Sequence, residues 1–230
     1  MLTDQDRVRI EAAVKAAEAR TRGEIYCVVA NESSDYREAP IAWAALAALA
    51  APAVLLLAGI HVTVPDVFGE EWSAAQIGAV AETAAREAVA GSILLQAVLF
   101  LVVAIVVSIP PVRRVMTPRS LKRERVRRRA QEQFLAKNLQ ATRERTGVLI
   151  YVSAKERQAE LIADEGVAAR VDPKVWDKAM DLLIDGIKRG QTAEGFERAI
   201  GLCGDILAQH FPAGDSDNPD ELPNAVVMLP

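Results

Sequence analysis

The chain lacks most of the sequence patterns that mark a catalytic or redox centre. Its two cysteines, Cys27 and Cys203, lie far apart and outside any Cys-x-x-Cys or metal-ligand spacing. We expect two buried free thiols, because a reducing cytoplasm disfavours a disulfide. No HExxH, GxSxG or P-loop sequence occurs, and no nucleophile stands beside a base. An ordinary hydrolase or nucleotide-binding site is therefore not indicated.

Charged residues are also absent from two long windows. Residues 39–65 and 88–112 contain no Asp, Glu, Lys or Arg over 27 and 25 positions. A helix needs about 20 apolar residues to cross a ~30 Å hydrocarbon layer. Core helices of soluble proteins are shorter and keep a polar face, which these windows lack. The sequence predicts a transmembrane hairpin over 39–112 with an outer loop at 63–90.

The asymmetry of charge around the hairpin predicts its orientation. Residues 113–129 carry nine Lys or Arg and one acid, whereas the loop 63–90 carries five acids and one base. Because basic flanks stay in the cytoplasm, we expect a multi-pass protein of the bacterial inner (plasma) membrane with both termini cytoplasmic. We interpret the segment Arg113 to Arg129 as a contact for anionic lipids in the bilayer. A net charge of −4 gives no signal for nucleic acid as a partner.

The outer loop contains a further helical pattern. Trp72, Ile77, Val80 and Ala84 recur at helical spacing. Two interpretations are equally compatible with this spacing. One is a short amphipathic helix on the outer membrane surface, and the other is a continuation of the second spanning helix into water.

The segments outside the hairpin have the pattern of one split α/β domain. A capping box at Thr3 and Asp6 starts a helix that runs to about Arg20, and a strand follows at 24–30. A lone strand leaves its backbone groups unpaired, so its partners must come after the hairpin. There the pattern predicts a basic helix from Arg119 to about Arg143, two strands at 146–164 and two helices. We infer a three-layer α/β/α sandwich interrupted by the transmembrane hairpin.

The predicted divisions of the chain follow from this pattern. Residues 1–38 hold the first helix and strand, 39–112 the hairpin and 113–212 the remainder of the domain. Residues 213–230 form an acidic, Pro-rich tail, and its AVVML segment predicts a short closing strand.

The chain resembles the TPM-domain family in four segments: TGVLIYVSAKERQAELIADEGV, VDPKVWDKAMDLL, GQTAEGFERAIGLCGDILAQHFP and DELPN. It is most similar to a bacterial membrane branch in which two spans are inserted in the domain. The resemblance implies an α/β/α sandwich. It also implies a possible phosphatase activity, as in some plant members, and divalent-metal binding, as in some bacterial members.

Four carboxylates are candidates for a metal or phosphate site. Asp164, Glu165 and Asp172 surround the loop after the predicted strand pair, and Glu144 precedes that pair. Divalent cations such as Ca or Mg favour clustered oxygen ligands, and a bound ion could activate water against a phosphate ester. The alternative is structural, because Asp commonly caps helices and turns.

These observations support two hypotheses of different classes. The first is a noncatalytic inner-membrane scaffold or assembly factor that presents the domain to an unknown cytoplasmic protein partner. The second is a membrane-tethered, metal-dependent phosphatase. A transport-related subunit is disfavoured, because two spans without internal charge make a poor pathway.

Overall fold

The computed structural model describes residues 2–59, 74–214 and 221–229. The chain divides into two units. One unit combines Met1–Asp35 with Arg119–Pro230, and the other is Tyr36–Pro118. The first strand thus belongs to the same unit as the strands that follow the apolar insertion.

The helices and strands are, in chain order, α1 (Asp4–Glu18), β1 (Glu24–Ala30), α2 (Glu38–Leu57), α3 (Ala74–Ser108), α4 (Pro110–Met116), α5 (Arg119–Ala136), β2 (Gly147–Ser153), β3 (Gln158–Ala163), α6 (Glu165–Ala168), α7 (Asp177–Lys188), α8 (Thr192–His210) and β4 (Val227–Leu229). Short 3₁₀ turns lie at Leu139–Ala141 and Pro173–Trp176.

The sheet of the split unit is built around β1. Its strand order is β3-β2-β1-β4. β1 pairs in parallel with β2 from Glu24 and Gly147 to Ala30 and Ser153, and it pairs in parallel with β4 on its other side. β3 returns antiparallel to β2. Every residue of β1 and β2 is buried, as expected for parallel strands with both faces covered.

Helices cover the two faces of the sheet and make three layers. On one face, Ile25, Cys27 and Val29 of β1 pack with α1, α7 and α8. On the other face, Tyr26 and Val28 of β1 pack against α5. The strands alternate between the two cores because successive side chains point to opposite faces. The fold is therefore the predicted α/β class, with a four-stranded sheet between helical layers.

Local signals explain where several helices begin and end. The predicted capping box is present, because the Thr3 hydroxyl accepts from the backbone N–H of Asp6 and the Asp6 carboxylate accepts from that of Thr3. The basic helix was expected to reach about Arg143, but it ends at Ala136. Asn138 adopts a left-handed conformation with φ of 54°, which cannot continue a helix.

The sequence pattern predicts Thr192 as the cap of the last long helix, and Val175 and Leu135 as apolar residues that face the core; the structure differs in all three details. Thr192 is the first residue of α8 rather than its cap, a position held by Gln191. Val175 and Leu135, which were expected in buried stripes, are exposed. Val175 lies in the turn Pro173–Trp176, in which Trp176 is the buried residue, and Leu135 lies on the solvent side of α5 beside the buried Phe134.

The second unit is a pair of apolar helices followed by the short helix α4. Two stretches, Glu38–Leu55 and Val89–Ser108, are long and apolar enough to cross a membrane, by length and composition. α3 is continuous from Ala74 to Ser108, so the helical pattern before the second window continues the same helix. Trp72 lies outside the described residues. The indole Nε1 of Trp43 donates to the carbonyl of Met116 at 3.0 Å, which joins the start and the end of this unit.

The contact between α7 and α8 generates a prediction. A Cβ at Gly186 would lie 2.6 Å from the Cα of Gly195, whereas a Cβ at Gly201 would meet nothing within 4 Å. We expect Gly186→Ala to lower the free energy of unfolding by about 1–3 kcal/mol through overpacking. Gly201→Ala should raise it by about 0.5–1 kcal/mol, because alanine favours a helix interior. Urea unfolding of the solubilised chain, followed by tryptophan fluorescence, measures both, and equal effects would contradict the packing argument.

Candidate functional site

Two loops that carry candidate carboxylates meet at one end of the sheet. The backbone N–H of Asp164 donates to the carbonyl of Gly147 at 2.9 Å, and that of Gly166 donates to the carbonyl of Arg145 at 3.1 Å. A Cβ at Gly166 would lie 2.5 Å from the carbonyl oxygen of Glu144, so only glycine fits. The fold therefore brings the loop after β3 against the loop before β2, as the sequence hypothesis required for Glu144, Asp164 and Glu165.

Two of the candidate carboxylates in these loops form ion pairs. Glu144 pairs with Arg22, and Glu165 pairs with Arg145, both through short contacts between side chains that are more than a third exposed. Exposed pairs of this kind contribute little to stability, because water screens them. The two ion pairs nevertheless hold the carboxylates of Glu144 and Glu165 against arginine side chains of the same chain.

Asp164 is the buried member of the set. It is 7% exposed, and its Oδ1 accepts from the backbone N–H of Glu165 at 2.7 Å at the start of α6. Its Oδ2 is buried and has no hydrogen-bond partner. A buried carboxylate oxygen without a partner costs about 1–3 kcal/mol or more. This oxygen is the atom of the two loops that is best placed to accept a further ligand.

Asp172 caps the 3₁₀ turn Pro173–Trp176, and its carboxylate accepts from the backbone N–H of Lys174 at 2.9 Å. Divalent cations need several oxygen ligands around one point. Within the described ranges, no three His, Cys, Asp or Glu side chains come close enough to hold a metal ion. In this arrangement one oxygen, the Oδ2 of Asp164, suits a cation, and the complete ligand set that a metal requires is not assembled.

The C-terminal segment also reaches this end of the sheet. The Glu221 carboxylate accepts from the backbone N–H of Arg143 at 2.9 Å, and the backbone N–H of Leu222 donates to Glu24 at 3.2 Å. These contacts lead into β4, which forms the predicted closing strand. Residues 221–229 are thus bound to the domain.

A second polar cluster lies at the opposite end of β2. The Tyr151 hydroxyl is 3.1 Å from the Ser33 hydroxyl, and the backbone N–H of Ser33 donates to Glu156 at 3.2 Å. The buried Ser153 hydroxyl also donates to Glu156. Burial raises the pKa of Tyr151 above its ordinary value, so its phenol stays protonated at neutral pH. The cluster ties the turn between β2 and β3 to the segment after β1.

This second cluster was not predicted from the sequence. Its signal was the alternation of Tyr151 and Ser153 on one face of an otherwise aliphatic strand. The contribution of Ser33 could not be foreseen, because the residue belongs to a segment on the far side of the insertion.

Both cysteines are buried and free, as expected. Burial raises the pKa of Cys203 to about 12 and raises that of Cys27 further. Neither thiol is therefore a nucleophile near neutral pH.

Residues 113–206 match the TPM domain family. This match confirms the resemblance seen in the sequence for that part of the chain. The NMR structure of the BA42 protein from the psychrophilic bacterium Bizionia argentinensis has a similar fold, with a TM-score of 0.55 at 18% sequence identity. The similarity covers 99% of this chain and 95% of that one. The search of curated proteins returned no match.

The capping role of Asp164 generates a prediction. Asp164→Ala removes the acceptor for the Glu165 N–H, and we expect it to lower the free energy of unfolding by about 1–2 kcal/mol. Asp164→Asn keeps an oxygen acceptor and should lose clearly less, since Asn caps about as well as Asp. Urea unfolding measures both variants. If Asn and Ala were equally destabilising, the assignment of Asp164 as a cap would be wrong.

Proposed function

Starting from the TPM match over residues 113–206, we propose that this chain is an integral inner-membrane protein of the branch with two inserted spans. It presents its α/β domain at the cytoplasmic surface as a noncatalytic scaffold or assembly factor for a protein partner. The observation that carries this proposal is the exposed apolar surface of the inserted unit.

The inserted helices are not buried in a protein core. Only 22% of the stretch Glu38–Leu55 is buried, although a core helix of a soluble protein is mostly covered. Leu49 and Leu57 are 76% and 90% exposed on α2, and Ile105 is 67% exposed on α3. Burying one such side chain is worth about 1.5–3 kcal/mol, so a row of them in water is strongly unfavourable. A hydrocarbon layer around the helices supplies the missing cover.

The charges beside the second helix support the orientation. The nine basic residues between Arg113 and Arg129 begin within α4 and continue along α5. Each base near an anionic leaflet contributes about 1 kcal/mol. This segment is therefore proposed as both the topology signal and a contact for anionic lipids at the cytoplasmic side.

The contacts of the candidate carboxylates favour a structural role for them over a catalytic one. Asp164 and Asp172 cap helical turns, and Glu144 and Glu165 face arginines. Such roles hold loops in place, as a rigid docking domain requires.

The proposed topology can be tested by labelling introduced cysteines. In intact cells, a membrane-impermeant maleimide should label Glu70→Cys in the outer loop, whereas Arg157→Cys in the turn after β2 should react only after the membrane is permeabilised. The native thiols are an internal control, because burial raises their pKa and should keep them unlabelled. Labelling of Arg157→Cys in intact cells, or recovery of the chain in the soluble fraction, would overturn the proposal.

The alternative function is a membrane-tethered, metal-dependent phosphatase. The observation in its favour is the buried Oδ2 of Asp164, which lacks a hydrogen-bond partner beside the exposed Glu165. A metal centre there would require Glu144 and Glu165 to leave Arg22 and Arg145, so the described side chains would have to rearrange.

Hydrolysis of p-nitrophenyl phosphate by the purified full chain distinguishes the two functions. As a scaffold, the chain should show no turnover that depends on added Mg²⁺ or Ca²⁺ and disappears with a chelator. Asp164→Asn, with Asp205→Asn on the surface of α8 as the matched control, should change nothing. Metal-dependent turnover that Asp164→Asn alone abolishes, with an unchanged unfolding midpoint, would establish the phosphatase instead.

A further inference from the structure

A long groove follows the outer edge of the sheet in the split unit. It has a volume of about 1180 Å³ and is bounded by β3, by α5 on one side and by the Pro173–Trp176 turn with α7 on the other. Because β3 is the last strand in the order β3-β2-β1-β4, no strand of the described ranges pairs with its outer side.

The register of β3 shows which backbone groups face the groove. The N–H of Asp164 points to β2, where it donates to Gly147. Alternate residues of a strand direct their N–H and C=O to the same side. Ile162 and Glu160 therefore bond to β2, and the backbone groups of Ala159, Leu161 and Ala163 point outward. The groove floor is an open row of donors and acceptors for an added strand.

The α5 wall of the groove is basic. Arg119, Lys122, Arg123 and Arg127 line it at helical spacing. The facing carboxylate on the strand is Glu160, whose oxygen lies 3.9 Å from Arg123. Arg119, Arg123 and Arg127 outnumber the two carboxylates that line the strand side of the groove, Glu156 and Glu160, so this side carries an excess of positive charge.

The opposite wall is apolar at its base. Trp176, Met180 and Ile184 line the groove at intervals of one helical turn. Met180 packs against the same core as Ala159 and Leu161 of β3. An occupant of this side would meet aliphatic and aromatic surface together with the exposed Asp177 and Asp181.

We propose that this groove binds an extended segment of a protein partner by strand addition to β3. The partner segment alternates acidic and aliphatic residues. Side chains of a strand alternate between its two faces, so one set of carboxylates would meet the α5 cations and the aliphatic set would meet Met180 and Ile184. This inference rests on the proposed scaffold function and identifies the surface and the chemistry of its partner.

A synthetic peptide with alternating Glu and Val, labelled with fluorescein, is the probe for the solubilised full chain. A block peptide of the same composition and an alternating Lys–Val peptide are its controls. Fluorescence anisotropy should detect binding of the alternating Glu–Val peptide, at least about tenfold tighter than either control. Binding should weaken as salt rises, because exposed charges are screened.

Two variants of different kinds test the location. Ala159→Pro removes an outward N–H but none that bonds to β2, and it should weaken binding at least about fivefold. Arg127→Glu changes only the α5 wall and should weaken binding by a similar factor at low salt. Arg128→Glu is the matched control on the same helix outside the groove, and it should change the affinity by less than about twofold.

Four outcomes would overturn the inference. The first is no preference for the alternating Glu–Val peptide, and the second is equal binding by the Ala159→Pro, Arg127→Glu and Arg128→Glu variants. The third is a dimer of the chain that Ala159→Pro dissociates, because the edge of β3 would then serve a second copy. The fourth is capture of the same cellular partner by wild type and by Ala159→Pro, which would exclude the groove as the binding site and leave the scaffold function intact.

Discussion

The parallel pairing of β1 with β2 is the constraint on which the rest of the structure depends. All seven residues of β1 are buried, and each of them has a partner residue in β2. β3 pairs with only one side of β2, so the other side of β2 and both sides of β1 need partners from the other half of the chain. The two halves must therefore meet across the inserted helices, and every other element of the domain is positioned by that meeting.

The same pairing creates both polar ends of the sheet. At one end, Glu24 and Gly147 begin the two strands together, which brings the loop before β2 against Gly166 and buries Asp164. At the other end, Ala30 and Ser153 finish together, so Ser33 reaches Tyr151. The arrangement of polar side chains is thus a consequence of the register, and not of any local motif.

Local signals made much of the fold predictable. The capping box of α1, the β-branched run of β1 and the strand pair were visible because each depends on neighbours in sequence. The helix end at Asn138 was missed, since a left-handed asparagine is one of several conformations open to that residue.

The candidate site was only partly predictable for a related reason. The sequence placed Asp164 and Glu165 beside Glu144, because the ends of a strand pair must be close. It did not reveal that Arg22 would face Glu144, since that arginine comes from a loop on the other side of the insertion. The cap formed by Asp172 was a local pattern and was correctly weighed as a structural alternative.

The insertion itself lowers the cost of the long-range pairing. A flexible connection between β1 and β2 would lose entropy on closure that grows with its length. The bond from Trp43 to Met116 joins the two ends of the inserted unit, so a folded helical hairpin replaces a long loose chain. The two apolar helices are thus the proposed anchor of the protein, and they also keep the two ends of the insertion together.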